Sequence, residues 1–470
     1  MNPLTILLLL VLAAQFFSPS ASAQATCPGN GAGEPGCAGV GNPINVITGN
    51  KFQREVDLAP LPGVMGLEII RYYNSSLSGL NSRTGILGRG WRLSYETTLA
   101  AIGDTVQVLQ ADGTRLIFAR DLLRPSLCSS SDPANGEIDV RRTPKGDEYI
   151  WRKNDGQRLS FNHQGRLVQI LAPTGEFVSM QHDARGWLVK VTDPQGRSLT
   201  LDYLDKRQAA SGTRFAGVKG IDSPLGRFSY GYGSVMPEGG NLEDRRQLLA
   251  NLVDVGMPDG ARRHYHYKDG AFPTLLTGAS VGRISADGKV VLRRYATFGY
   301  DGNGDAVRST RSGDVGAIHL DNATGGKTVL TNSVGQKTEY RYGLFAGQFR
   351  LLEARGAGCA TCSPVNVRYG YDGLGRLTET IQLDARGAPT ETVRQEFDGQ
   401  GRVTRVNRII HRNGKPGPAL MQEQFSKDKL ESYSGGGQQF QLLIDRYSPS
   451  DPSRPKEWKK YMTLLEEISL

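Results

Sequence analysis

The chain has 470 residues, of which 38% are hydrophobic and 22% charged, and its formal net charge is +9. The hydrophobic share excludes a disordered polypeptide, and the 59 Gly residues, well above the average share of about 7%, indicate dense turns. The basic excess is mostly Arg that follows Gly in turns. Because no Lys/Arg run or basic stripe with interleaved aromatic residues stands out, we predict no nucleic-acid partner.

The N-terminus predicts export. An apolar stretch from Leu4 to Ala14 precedes Ala21-Ser22-Ala23, which matches an A-x-A cleavage site before Gln24. We therefore predict a signal peptide over residues 1–23 and a secreted, periplasmic or cell-surface protein, although the first residues lack the usual Lys or Arg. The stretch is too short for a transmembrane helix, and no later segment is apolar enough, so no integral membrane segment is expected in the mature chain.

Five Cys residues are then expected in an oxidising compartment. Cys27 and Cys37 bracket a Gly-rich loop, and Cys359 and Cys362 form a C-x-x-C motif. The favoured interpretation is two local disulfides that leave Cys128 over, with the pairing still open. A redox site would need the motif at a helix N-terminus, and a zinc site would need a second ligand pair at a matching interval.

One short pattern recurs along the chain: an aromatic residue or His, then Asp or Asn, two variable residues, Gly-Arg and an aliphatic residue. The copies are clearest at 371–377, looser at 161–167, 182–188 and 397–403, and partial at 193–197 and 300–304. A repeat of roughly 20 to 26 residues indicates one supersecondary unit stacked many times. The turn residues predicted to be structural are Tyr371, Asp372, Gly375, Arg376, Phe397, Asp398, Gly401, Arg402, Phe161, Gly165, Arg166, His182, Asp183 and Gly186.

The repeat unit has the chemistry of a β-hairpin. An Asp or Asn side chain accepts hydrogen bonds from backbone N–H groups of a turn, and the Gly accepts a positive φ. On either side polar and apolar residues alternate, as in residues 263–267, which is the period of a half-buried strand. Turn signals fall roughly every 8 to 12 residues from about 100 to 410, with no convincing helix between them. We predict an all-β fold of antiparallel hairpin repeats, with the aromatic rings packed at repeat boundaries.

Several N-terminal motifs, at residues 41–51, 60–62, 71–75 and 87–91, resemble the domain that precedes the repeats in Rhs-type YD-repeat proteins, and the repeats themselves resemble YD repeats. The resemblance implies a continuous curved sheet, part of a β-shell that in family members encloses a C-terminal toxin. The expected divisions are a signal peptide (1–23), a Gly/Cys-rich linker (24–41), an N-terminal β domain (42–125), a YD-repeat sheet (126–412) and a divergent tail (413–470).

The sequence departs from that family at its late signature. Family members that release their toxin carry an Asp-Pro-x-Gly signature after the last repeats. Here Asp193-Pro194-Gln195-Gly196 has these letters but lies inside the array, so we interpret it as a repeat turn. Nothing equivalent follows Val403, and the chain is shorter than a full shell needs. We therefore expect a partial shell, and whether the chain is a truncated gene product stays open.

The tail after the repeats is divergent. A Gly-rich joint and a Pro/Ser-rich connector precede a final amphipathic segment. We predict a short C-terminal helix that caps the open edge of the sheet, because an uncovered edge strand promotes aggregation. A toxin domain would need a catalytic constellation here, and the only nearby His is His411. The apolar face of the predicted helix consists of Trp458, Tyr461, Met462, Leu465 and Ile468.

Two other clusters resemble parts of metal sites. Residues 301–305 begin like a calcium loop, but Ala306 replaces the expected Gly and Ser312 the bidentate Glu, so a repeat turn is favoured. His264 and His266 share one strand face without a third ligand in view, so packing is favoured. No nucleophile elbow, phosphate-binding loop or zincin motif occurs. We predict no catalytic residue, metal or cofactor.

These observations lead to three functional hypotheses. The first is an exported, non-enzymatic YD-repeat scaffold that binds or partly encloses another polypeptide, such as a toxin-like cargo, in toxin delivery or cell-surface contact. The second is a stand-alone protein that binds carbohydrate or a surface through exposed Tyr and Trp side chains. The third is a hydrolase that uses acids on the sheet face. The identity of the partner and the oligomeric state stay open.

Overall fold

The computed structural model describes residues 39–424, apart from the short segments 80–83, 205–216, 234–249, 286–287, 315, 346–347, 360–361, 363 and 413–414. The predicted signal peptide, Cys27, Cys37 and the predicted C-terminal helix lie outside these residues. In the described part, no helix is long and apolar enough to cross a membrane. Its helical turns are three short 3-10 turns, Ser75–Leu77, Pro133–Asn135 and Ser312–Asp314.

The strands form one long antiparallel sheet and two small ones. β1 (Gly39–Val40) pairs with β2 (Ile44–Asn45), while β3 (Phe52–Leu58), β4 (Ile69–Asn74) and β5 (Trp91–Leu93) make a three-stranded sheet. In the long sheet each strand pairs with the next one along the chain. Its strands are β6 (Thr98–Ile102), β7 (Thr105–Leu109), β8 (Arg115–Arg120), β9 (Leu127–Ser129), β10 (Glu137–Thr143), β11 (Gly146–Arg152), β12 (Arg158–Phe161), β13 (Leu167–Leu171), β14 (Phe177–His182), β15 (Leu188–Thr192), β16 (Ser198–Tyr203), β17 (Val218–Ser223), β18 (Gly226–Tyr232), β19 (Leu252–Gly256), β20 (Ala261–His266), β21 (Gly278–Ile284), β22 (Val290–Tyr300), β23 (Ala306–Arg311), β24 (Ile318–Thr324), β25 (Lys327–Asn332), β26 (Lys337–Phe345), β27 (Gln348–Gly356), β28 (Val367–Tyr371), β29 (Leu377–Leu383), β30 (Pro389–Phe397), β31 (Val403–Arg412) and β32 (Lys415–Gln424).

A β-bulge recurs at the aromatic position of the repeats. The aromatic residue or His ends an even-numbered strand, and the register shifts directly before it. A bulge bends its strand and increases the local right-handed twist, so bulges at the same place in many alternate strands curl the sheet in one direction. The repeat therefore accounts for the curvature as well as for the turns. The positions are Phe161, His182, Tyr203, Tyr232, Tyr300, Tyr371 and Phe397.

The curled sheet touches itself through turns. The first strand, β6, meets the β12–β13 turn, where the Leu99 N–H donates to the Gly165 carbonyl at 2.8 Å. The β30–β31 turn reaches back to an early turn, where the Gln400 carbonyl accepts from Asn154 Nδ2 at 3.0 Å. The sheet is nevertheless not closed, since no register joins β32 to β6 within the described residues.

The N-terminal residues fill much of the concave side of the curl. Inward side chains from β6 to β22 share one core with Leu58, Leu67, Tyr73 and Trp91 of the N-terminal domain. A second core joins residues 40–46 to the concave side of β23–β28. Alternation explains both cores, because every second residue of each strand points inward. The interior of the curl is thus occupied by the chain's own residues along most of the sheet.

Candidate functional site: the concave side and its repeat turns

The predicted turn residues form one repeated hydrogen-bonded motif. After β28, Asp372 Oδ1 accepts from the backbone N–H groups of Leu374 at 3.0 Å and Arg376 at 2.9 Å, and Oδ2 accepts from Arg376 Nε at 2.7 Å. The Gly375 N–H donates to the Asp372 carbonyl at 2.9 Å. Gly375 has a φ of +75°, which residues with a Cβ rarely adopt. One carboxylate and one Gly therefore fix the turn.

The other predicted turns have the same geometry with small changes. Asp398 bonds Arg402 in the same way, with Oδ2 2.8 Å from Nε. Asp183 pairs with Arg185 instead, because the fourth position after Asp183 is Trp. The neutral Asn162 accepts only backbone N–H groups of this turn, including that of Arg166. The corresponding glycines also have positive φ, namely Gly165 at +70°, Gly186 at +78° and Gly401 at +77°.

Asp193, which begins the Asp-Pro-x-Gly letters, lies in such a turn. Its Oδ1 accepts from the backbone N–H groups of Gln195 at 3.1 Å and Arg197 at 2.9 Å, and its Oδ2 accepts from Arg197 Nε at 2.7 Å. Arg197 also donates to the Pro62 carbonyl at 2.8 Å. This turn therefore fastens the N-terminal domain to the repeat sheet.

The arginines of the repeats also connect neighbouring repeats, a role that sequence reasoning missed. The Arg376 guanidinium lies 4.7 Å from the centroid of the Phe397 ring in the next repeat. Arg166 packs directly against Gly186 in the corresponding turn of the next repeat. Burial, with the charge of Arg166, lowers the pKa of His182. The sequence contained a sign of this role, because an Arg follows the Gly in the clearest copies of the repeat.

The aromatic residues of the repeats connect adjacent strands. Tyr371 OH donates to the Leu351 carbonyl at 2.7 Å, and Tyr203 OH donates to the Leu188 carbonyl at 2.7 Å. Burial raises the pKa of Tyr371. A hydroxyl bonded to a carbonyl of the neighbouring strand lets the ring be buried without leaving its polar atom unpaired. Phe161 is buried in the first core.

The three cysteines that the structure describes form one disulfide and one free thiol. Cys359 and Cys362 are disulfide-bonded and pack at the margin of the second core. Cys128 is a free, buried thiol whose pKa is raised by burial. A buried thiol with a raised pKa is an unreactive one, so Cys128 behaves as a core residue.

The two clusters that resemble parts of metal sites have structural partners. His264 Nδ1 lies 2.7 Å from Asp254 Oδ1, and His266 Nε2 lies 2.8 Å from Ser280 Oγ. Residues 301–305 form a repeat turn, with backbone N–H groups donating to the first carboxylate. Among the residues that the structure describes, no group of three or more His, Cys, Asp or Glu side chains is arranged to hold a metal ion.

A buried ion pair joins the N-terminal domain to the concave side. Arg71 Nε donates to Asp57 Oδ2 at 2.6 Å, and both side chains are fully buried. The sheet supplies two phenols: Arg71 donates to Tyr265 OH at 3.0 Å, and Tyr230 OH donates to Asp57 at 3.1 Å. The Arg71 guanidinium also lies 4.9 Å from the centroid of the Trp91 ring. Burial by itself would lower the pKa of Arg71, but the partners, above all Asp57, raise it.

A second carboxylate extends this network. Arg263 of the long sheet lies 2.6 Å from Glu55 and 3.2 Å from Asp57, and Tyr295 OH donates to Glu55 at 2.9 Å. Burial, followed by the charge of Glu55, raises the pKa of Tyr295. Two acids of the small sheet thus contact one cation, Arg263, and the hydroxyls of Tyr230 and Tyr295 in the long sheet. The side chains of the Arg71–Asp57 pair are fully buried, so no ligand can reach them. We therefore interpret the network as a structural contact that holds the three-stranded sheet against the long sheet.

Lys51 is buried beside this network. Its Nζ donates to the Phe52 carbonyl and to Gln53 Oε1 at 2.9 Å, and lies 4.3 Å from the centroid of the Phe298 ring. Burial lowers the pKa of Lys51 well below its usual range, and Glu55 opposes this shift. Since its contacts are local backbone, an amide and an aromatic ring of β22, Lys51 also holds the two parts together.

The concave side is least covered over its last strands. Most side chains of β29–β31 are half-buried, apart from the buried Leu383 and Thr392, whereas β12–β22 contribute many buried side chains to the first core. An open groove there is lined by Leu377, Glu379, Thr380, Val393 and Gln395. Beside it Glu391 pairs with Arg408 at 2.6 Å. The groove combines apolar side chains with hydrogen-bonding groups, so it is not built as a sealed core.

Two family models match the chain. Residues 41–118 match a domain of unknown function, DUF6531. Residues 161–198 match the RHS repeat, and this segment contains the turns at Asn162, Asp183 and Asp193 described above. The chain therefore contains an RHS repeat. Its repeats are the bulged hairpins of the long sheet.

The chain is similar to parts of larger proteins. It is 29% identical over 176 residues to double-stranded DNA deaminase toxin A of Burkholderia cenocepacia (strain H111), and the match covers 35% of this chain and 11% of the relative. In the Photorhabdus luminescens Tc holotoxin pore, the matched chain is 10% identical with a TM-score of 0.33, covering 81% of this chain and 22% of that one. For TcdB2-TccC3 without its hypervariable C-terminal region, the identity is 10%, the TM-score 0.28 and the coverage 86% and 28%.

Proposed function

We propose that this YD-repeat scaffold is exported and holds another polypeptide against the concave side of β29–β31 without catalysing a reaction on it. The proposal rests on the position along the sheet at which the shared hydrophobic cores end and an open groove begins. The cores that include the N-terminal residues extend as far as Leu377 at the start of β29, whereas Thr380, Val393 and Gln395 beyond it line an open groove. A partner therefore has accessible concave surface at this end of the sheet.

The chemistry of the groove suits a polypeptide partner. Leu377 and Val393 offer apolar contact, while Thr380, Gln395 and the Glu391–Arg408 pair offer hydrogen bonds. Such a mixture is typical of protein–protein interfaces, which combine apolar area with satisfied polar groups. A toxin-like cargo is supported by the RHS repeat and by the relative named as a toxin.

The carbohydrate alternative has less support in the described residues. Trp91 and Trp151 are buried, and the Arg185 guanidinium lies over the Trp187 ring at 3.9 Å from its centroid. Sugar-binding proteins need accessible aromatic faces, so these three rings are poorly placed for that role. The polypeptide proposal needs no such platform.

Co-purification tests the polypeptide proposal. The tagged mature chain is co-expressed with polypeptides encoded beside its gene, and the stoichiometry of the complex is measured. We expect a one-to-one complex that Val393→Arg weakens, because that side chain faces the groove. Glu396→Arg is the matched control, since Glu396 is exposed on the other face of the same strand. Equal retention by both variants, or no complex with the wild-type chain, would contradict the proposal.

Export is tested separately by the mass of the mature protein. Expressed in a bacterium with a secretory pathway, the chain should lose residues 1–23 and begin at Gln24. Replacing Leu8 and Leu9 with Arg should retain the uncleaved chain in the cytoplasm, because it interrupts the apolar segment. An uncleaved wild-type chain in the cytoplasm would contradict export and leave the binding proposal standing.

A further inference from the structure

The edge of one protruding hairpin is an unpartnered strand. β22 runs from Val290 to Tyr300, and β21 pairs with it along its first part, down to Thr297. On its other side β23 pairs only with residues 296–300. No strand of the described chain therefore pairs with the outer side of residues 290–294, which we call the β22 edge.

The β22 edge carries exposed apolar side chains on both faces. Val290 is 50% exposed, Val291 59% and Leu292 39%, and their neighbours Val281 and Ile284 on β21 are similarly open. Most natural edge strands are blunted by Pro, a bulge or inward charges. Residues 290–292 have no Pro, register shift or charged side chain, and Arg293, Arg294 and a register shift between residues 294 and 296 follow them. The outward backbone groups of this edge can therefore accept another strand.

The charge of the β22 edge restricts its partner. The apolar run continues into Arg293 and Arg294, and exposed Arg293 makes no ion pair with any residue that the structure describes. A second copy paired antiparallel along the same edge would bring four Arg side chains onto one short ribbon, and like charges across strands destabilise pairing. An acidic partner strand would instead pair its carboxylates with these cations.

We propose that the β22 edge binds an extended segment of another protein in which apolar residues alternate with acidic ones, by addition of a β-strand. Main-chain hydrogen bonds to residues 290–294 supply the common part of the affinity, and the valines and Arg293 select the sequence. This surface is distinct from the groove at β29–β31, and the proposal does not depend on the proposed cargo.

A synthetic strand tests the proposal by fluorescence anisotropy. The probe is a labelled peptide in which Val alternates with Glu. One control peptide has the same sequence with every second amide N-methylated, and another has Lys in place of Glu. We expect the first peptide to bind at least about tenfold more tightly than either control, a difference of about 1.4 kcal/mol. Failure of the first peptide to bind, or equal binding of the N-methylated one, would overturn the proposal.

Variants of the protein locate the binding. Val291→Glu should weaken the acidic peptide because Glu interrupts the apolar run and repels the carboxylates of the peptide, and Arg293→Glu should reverse the preference between the acidic and basic peptides. Val334→Glu is the matched control, since Val334 is 74% exposed on another turn. Sedimentation of the free protein adds an independent measurement. A wild-type dimer that Val291→Glu converts to monomer would assign the edge to a second copy and overturn the proposal.

Discussion

At the residue scale, the repeat is defined by one carboxylate, one glycine and one arginine. The Asp and Gly positions could be predicted because each has a local reason, namely capture of backbone N–H groups and a positive φ. The Arg position could not be interpreted fully, because Arg376 contacts its own Asp372 and also the ring of Phe397 in the next repeat. The second contact depends on strand register, which no local pattern contains.

Gly375→Ala tests the turn geometry. Gly375 has a φ of +75°, so a Cβ there should lower the free energy of unfolding by about 1–2 kcal/mol. Gly373→Ala is the matched control, because Gly373 lacks a positive φ and a Cβ added to it would meet open space; its stability should change little. The measurement is guanidinium unfolding followed by Trp fluorescence. Equal stability of the two variants would contradict the assignment of Gly375 to a left-handed turn.

His266 should make the fold sensitive to mild acid. Burial, with the charges of Arg294, His264 and Lys268, lowers the pKa of His266 from 6.5 to about 4. The unfolded chain therefore binds this proton first, so the contribution of His266 is complete above about pH 6.5 and is lost as the pH falls toward 4.

His266→Gln should flatten this part of the pH profile while retaining a partner for Ser280. The measurement is the denaturant midpoint between pH 7 and pH 4 for both proteins. His163→Gln, at an exposed turn residue, is the surface control. If His266→Gln leaves the change of the denaturant midpoint with pH as it is in the wild-type protein, groups other than His266 cause the pH dependence.

At the element scale, the hairpins could be predicted from the local sequence. The position at which the three-stranded sheet packs against the long sheet could not. Alternation predicted strands such as β20, and the Asp-Gly turns predicted their ends. The partners of Asp57, however, include Tyr230 and Arg263, which are 173 and 206 residues away. The available signal was charge in otherwise apolar strands: Arg71 follows Ile69 and Ile70, and a buried Arg requires a partner.

Asp57→Asn should detach the N-terminal sheet from the long one. The substitution leaves the buried Arg71 without its counter-charge, and breaking such a pair typically costs about 3–5 kcal/mol. The double variant Asp57→Asn/Arg71→Met should be less destabilised than Asp57→Asn alone, because it removes the unpaired charge. Hydrogen exchange measured by mass spectrometry should report faster exchange in β3–β5. Greater destabilisation of the double variant would contradict the ion-pair account.

At the scale of the whole molecule, a bulge at the same place in many alternate strands turns a flat array of hairpins into a curl. The antiparallel hairpins were predicted from the repeat and the curved sheet from the resemblance to YD-repeat proteins, and both are observed. The filling of the curl was not predicted, because it depends on residues 40–95 reaching strands that lie far along the chain. The interior of the partial shell is therefore occupied by the chain's own residues along most of its length. The least covered concave surface of the described chain is at β29–β31.

Site-specific photo-crosslinking tests the central claim, that a polypeptide occupies this concave surface. Benzoylphenylalanine replaces Val393, which faces the groove, or Arg394, the next residue, which is exposed on the convex face. Irradiation of the co-expressed complex should give one discrete adduct of chain and partner from position 393 and none from position 394. Adducts from position 394 alone, or from neither position in a complex that still forms, would contradict binding at the concave side.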